Sequence, residues 1–113
     1  MAERAPGMGR VVPLRREPRA QEPLWREVLG QRLRTLRLDQ QETLAETAGR
    51  AGISPQYLSE IERGRKEPSS EMIAALAGAL GTSLTVLTEQ VAGDLRRQQA
   101  SRASGPVKLS LAA

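Results

Sequence analysis

From Pro23 onward, apolar residues recur every three or four positions and show no strand-like alternation. That period marks helices with one buried face, so it predicts an all-α domain. Trp25, Val28, Leu29, Leu33 and Leu36 outline a first helix that ends near Asp39, with Pro23 suited to its first position. Thr43, with Glu46 three residues later, has the spacing of a capping box and opens a second helix carrying Leu44, Ala48 and Ala51. Gly52 stops that helix. Ser54 caps a third helix with Pro55 in its first turn, where a missing N–H costs nothing. Only Leu58 and Ile61 are clearly apolar there, so this helix buries a narrow seam and shows most of its surface. Gly64 and Pro68 end it. Ser69 or Ser70 caps a fourth helix with Met72, Ile73, Leu76 and Leu80 inward, and Gly81 terminates it. Ser83 opens a fifth, with Leu84, Leu87, Val91 and Leu95 as its stripe; this stripe either completes the core or supplies a dimer contact.

The periodic stretch is flanked by segments of different character. Residues 1–22 hold three prolines and five arginines with little periodicity, which reads as a disordered arm, either a solubilising leader or a segment that lies along DNA phosphates. Residues 96–113 are small and polar and are expected to form a flexible basic tail. The expected organisation is therefore an arm over 1–22, one domain over 23–95 and a tail over 96–113.

Charge changes the picture mainly by its distribution. The formal net charge is +4, but residues 23–95 carry eight basic and ten acidic groups, so the excess lies in the flanks. Any nucleic-acid reading must rest on where charges sit. With no cysteine and no histidine, the common nucleophile–base pairs and most transition-metal sites are absent. No catalytic residue, metal site or cofactor is expected, and an enzyme is not. The longest apolar run, Met72 to Leu80, is too short to span a membrane. No apolar signal segment opens the chain, so a cytoplasmic protein without a membrane partner is expected.

The second and third helices are joined by Gly52 and Ile53 alone, and a helix, a tight glycine turn and a second short polar-faced helix make the helix-turn-helix pattern. In that arrangement the second helix enters the major groove of double-stranded DNA. Pro55, Gln56, Ser59 and Glu60 face outward and are the candidate base readers: Gln56 can pair bidentately with adenine, and Glu60 can accept from a cytosine amino group. Thr43, Ser54, Tyr57, Arg63, Arg65 and Lys66 are candidates for the DNA backbone, because phosphate contacts fix register while base contacts specify. Tyr57 either offers its hydroxyl to a phosphate or simply packs along the helix.

From Leu33 to Leu84 the chain resembles the Cro/C1-type (XRE) helix-turn-helix family, through Leu33-Arg34 and Arg37 and through Leu58-Ser59-Glu60-Ile61-Glu62-Arg63-Gly64 followed by Pro68. The resemblance implies a five-helix, lambda-repressor-like DNA-binding domain in which Arg37 pairs with Glu62. Residues 43–54 and 57–71, with Pro23–Gly30, resemble more narrowly the actinobacterial Clp-protease gene regulators of the ClgR/PopR type. That implies a homodimeric activator on a palindromic operator, with RNA polymerase and Clp protease as further partners. The terminal Leu111, Ala112 and Ala113 resemble the end of the bacterial tag that marks stalled products for Clp proteases, and imply a degron. The chain departs from the wider pattern where Leu44 replaces a common Gln, Thr47 a common Leu, and Gln41-Glu42 a Gly-apolar pair. An antitoxin or adaptor using the same fold is the competing reading.

Overall fold

The computed structural model describes residues 24–112, with side chains through Arg102. Five helices follow in order: α1 (Trp25–Asp39), α2 (Leu44–Ala51), α3 (Pro55–Glu62), α4 (Ser70–Ala79) and α5 (Leu84–Ala112). Among the described residues there is no strand, and no single helix is long and apolar enough to cross a membrane.

Each helix starts where a side chain satisfies an orphan N–H. The Thr43 hydroxyl accepts from Glu46 N–H at 3.1 Å while the Glu46 carboxylate accepts from Thr43 N–H at 2.8 Å. Ser54, Ser69 and Ser83 each accept from the N–H three residues on, at 3.0, 3.2 and 3.2 Å. Such caps are worth about 1 kcal/mol each, a useful fraction of the stability of a small domain. α1 begins at Trp25, where Glu27 accepts from the N–H of Leu24 at 3.0 Å.

The core is aliphatic. Val28, Leu29 and Leu33 of α1 meet Ala48, Leu58, Ile61, Ile73, Leu76, Ala77, Leu80, Leu87 and Val91. α1 packs on α3 and α5, and α2 on α3 and α4. The α1–α3 crossing is very close because Gly30 has no side chain: a Cβ there would stand 2.4 Å from the Ile61 carbonyl oxygen and 2.6 Å from that of Glu62. Glycine costs about 1 kcal/mol inside a helix relative to alanine, and here it admits a neighbouring backbone.

One expectation for α5 is corrected. The helix does not end near Leu95 but runs on to Ala112. Around Leu95, α5 is clasped to α1, with Arg32 donating to Asp94 at 2.6 and 2.8 Å and Gln98 to Gln31 at 3.1 Å, while within α5 Arg97 donates to the same carboxylate at 2.5 Å. The arginines hold the Asp94 carboxyl below its ordinary range, chiefly through the Arg32 hydrogen bond, and Asp94 in turn raises Arg32. Leu84 does not join the buried stripe but is 38% exposed in the first turn of α5, close in sequence to Val86 at 44%.

Candidate nucleic-acid interface

The turn between α2 and α3 sets the geometry of the site. Gly52 takes the left-handed conformation at φ 78°, which suits glycine because it carries no Cβ. Ile53 N–H then donates to Ala48 C=O at 3.0 Å, and the Ile53 side chain packs against the core. α3 therefore leaves α2 after a short, tight link, with Leu58, Ile61 and Glu62 buried.

What remains outward on α3 is its polar side. Pro55 and Gln56 are exposed, and Ser59 and Glu60 are half-buried along the same helix. Tyr57 is also half-buried, and its ring packs against the core. Thr43 and Ser54 spend a lone pair each on capping their helices, which leaves each hydroxyl its own O–H to donate.

Arg37 and Glu62 are brought together in the interior. Arg37 Nε donates to Glu62 Oε2 at 2.7 Å and a second guanidinium nitrogen to Oε1 at 2.9 Å, both residues being only 7% exposed. The third nitrogen donates to the Glu42 carbonyl at 2.8 Å. This bidentate geometry satisfies both ions, and the hydrogen bond to Glu62 raises Arg37 above its already high value. The pair ties the end of α3 to α1 and to the turn before α2.

The basic turn after α3 is equally well fixed. Arg63 N–H donates to Ser59 C=O at 3.1 Å, Gly64 N–H to Ile61 C=O at 3.0 Å and Arg65 N–H to Glu60 C=O at 3.0 Å. Arg63, Arg65 and Lys66 are exposed there. Arg26 Nε donates to the Gly64 carbonyl at 2.9 Å, fastening the turn to the first turn of α1. Sequence reasoning missed Arg26, since nothing in an arginine on α1 indicates that it reaches a carbonyl 38 residues away.

A second set was also missed. The Glu42 carboxylate accepts from the Thr47 hydroxyl at 2.6 Å and pairs with Arg50, which also donates to the Ala79 carbonyl at 3.2 Å. Among the described residues no group of three or more carboxylates is placed to hold a metal ion. Ala113 lies outside the described residues, as do the arm over 1–22 and the side chains of Leu111 and Ala112.

A family model described as a helix-turn-helix domain matches residues 28–91. The transcriptional regulator ClgR of Mycobacterium tuberculosis is 47% identical over 76 residues, which cover 67% of this chain and 68% of that protein. The crystal structure of the clp gene regulator ClgR from Corynebacterium glutamicum superposes with a TM-score of 0.70 at 46% identity, over 76% of this chain and 92% of that one. The restriction-modification controller protein C.Esp1396I, solved as a tetramer with its 35 base-pair operator, superposes with a TM-score of 0.60 over 66% of this chain and 97% of that one; at 19% identity the likeness is one of fold. The chain belongs to the helix-turn-helix family and, within it, to the ClgR-type transcriptional regulators, which are DNA-binding proteins and not enzymes.

Proposed function

We propose that this regulator reads a near-palindromic operator as a homodimer, with α3 in the major groove, and that it activates Clp protease genes. The observation that carries the reading is the division of α3. Leu58, Ile61 and the Arg37–Glu62 pair fix one side, and Pro55, Gln56, Ser59 and Glu60 stand along the other, directly before three exposed basic residues. Gln56 and Glu60 present the donor and acceptor groups that distinguish base edges, and Arg63, Arg65 and Lys66 suit phosphates. Thr43, Ser54 and the Tyr57 hydroxyl complete the backbone set in this reading.

One short helix contacts only a few base pairs, so affinity and specificity call for two copies about 34 Å apart. Leu87 and Val91 are fully buried within one chain, which leaves Leu84 and Val86 for the contact between copies. Replacing both with Glu should give a monomer by light scattering, with its helical content intact. Support for the regulon comes from membership among the ClgR-type regulators, one of which is described as a clp gene regulator. Mapping the protein's occupancy across the genome tests it: peaks at Clp-protease promoters, and falling transcription of those genes when the protein is deleted, are expected. Occupancy elsewhere only would remove the regulon and leave the DNA-binding reading. Where Leu111-Ala112-Ala113 stands as a free terminus, Clp-dependent turnover is expected, and Ala112→Asp with Ala113→Asp should lengthen the half-life.

A further inference from the structure

We propose that Glu60 and Arg65 form an exchangeable ion pair that withholds one phosphate contact from non-operator DNA, making Glu60 a specificity-determining residue through Arg65. The inference rests on the reading of α3 as the base-reading helix. Arg65 NH1 stands 3.8 Å from Glu60 Oε2, with the Arg65 side chain 63% exposed and that of Glu60 30% exposed. The Arg65 N–H bonded to the Glu60 carbonyl fixes the two backbones relative to each other, so only side-chain torsions decide whether the charges meet. Among the described residues neither Arg63 nor Lys66 has a comparable acidic partner.

The pair is loose enough to open. An exposed pair at this distance contributes little by itself, and a phosphate offers Arg65 a better acceptor. Opening has a consequence for Glu60, however. Its carboxylate would then face the phosphates of the duplex, partly desolvated and without a cation. That state is tolerable only where a base edge supplies a donor, as the amino groups of cytosine and adenine do in the major groove. On the operator, Glu60 takes the base and Arg65 is released to a phosphate. On other DNA, Arg65 stays with Glu60 and the phosphate contact is not made. Arg63 and Lys66 act alike on both.

The experiment is a double-mutant cycle of Glu60→Gln and Arg65→Gln in the full chain. Affinity is read by fluorescence anisotropy on an operator duplex and on a scrambled duplex of equal length, from 50 to 200 mM salt. One phosphate contact changes the salt slope by about 0.9, which over a fourfold change in salt is about 3.5-fold in affinity. With Glu60 intact, Arg65→Gln should flatten the slope by about 0.9 on the operator and by much less on the scrambled duplex. With Glu60→Gln, it should flatten both equally, and Glu60→Gln alone should lower the operator-to-scrambled ratio about threefold or more. Equal slope losses on both duplexes with Glu60 intact overturn the proposal while leaving α3 as the reading helix, because a simple charge effect is additive and blind to sequence. A folded protein that prefers no sequence overturns both.

Discussion

Removing one member of the Arg37–Glu62 pair should be far more damaging than removing both. At about 4 Å between charge centres and an effective dielectric constant of about 20, the attraction is about 4 kcal/mol. Much of that only offsets the desolvation of two ions that are each 7% exposed. Glu62→Leu leaves a buried guanidinium with the Glu42 carbonyl as its remaining partner, and such a break typically costs about 3–5 kcal/mol. A domain of this size has about 5–10 kcal/mol in all, so the variant should be close to unfolding at 37 °C. Arg37→Met together with Glu62→Leu removes both charges while keeping side-chain volume, and should recover at least half of the loss. Urea unfolding followed by circular dichroism measures both variants. A Glu62→Leu cost below about 1 kcal/mol, or a double variant no better than the single, would refute the reasoning, since either means that the buried ions are not interdependent. Because the pair joins α3 to α1, the double variant should also discriminate operator from scrambled DNA less well at equal fold content.

Gly30→Ala should destabilise the domain by about 1–3 kcal/mol despite a helix-propensity gain of about 1 kcal/mol, because the new methyl meets two backbone carbonyls; a raised Tm would contradict the close α1–α3 crossing. Gln56→Ala should cost about 1–3 kcal/mol on the operator and relax one position of the site, and equal losses on operator and random DNA would remove Gln56 from base reading. Asp94 titrates below its ordinary value in the folded chain, so its ion pair stabilises the fold above the unfolded-state pKa, and that contribution is lost as pH falls through the lower folded value. Asp94→Asn should therefore lower Tm at pH 7 and converge with the parent in acid, and a constant difference down to acid would argue against the Arg32–Asp94 clasp.

Helix boundaries were legible because the signals that set them are local. Thr43 with Glu46, Ser54 before Pro55 and Gly52 after Ala51 each act within four residues, and the aliphatic stripes repeat at the helical period. Arg26 on Gly64, Arg32 on Asp94 and Gln31 on Gln98 were not legible. Those polar pairs exist only once packing has placed two helices side by side, and surface arginines have no period. The continuation of α5 just past Leu95 was missed for the same reason, as a helix turn held by polar clasps needs no apolar stripe. Which of its two roles each residue of the α5 stripe takes was not legible either: Leu87 and Val91 complete the core, while Leu84 stays exposed. In the candidate interface, the outward side of α3 could be inferred from its narrow seam. That Glu60 sits opposite Arg65 could not, because it depends on how the chain turns after Arg63.

The departures from the wider family pattern at Gln41, Glu42 and Thr47 gain sense when taken together. Gln41 has φ 58°, a left-handed conformation that costs a non-glycine residue about 1–2 kcal/mol, and the family commonly has glycine at this place. Thr47 is 1% exposed where the family commonly has leucine, and a buried hydroxyl without a partner is costly. Glu42, standing where an apolar residue is common, supplies that partner at 2.6 Å and holds Arg50 with the rest of its carboxylate. Its main-chain carbonyl meanwhile accepts from Arg37, so the same residue also touches the group that fixes α3. Three mismatches counted one by one suggest a weakened first turn of α2. Physically, two of them are one exchange, an aliphatic contact replaced by a hydrogen bond and an ion pair. Gln41 alone remains a strained position, and it is the natural place for glycine to stabilise this domain.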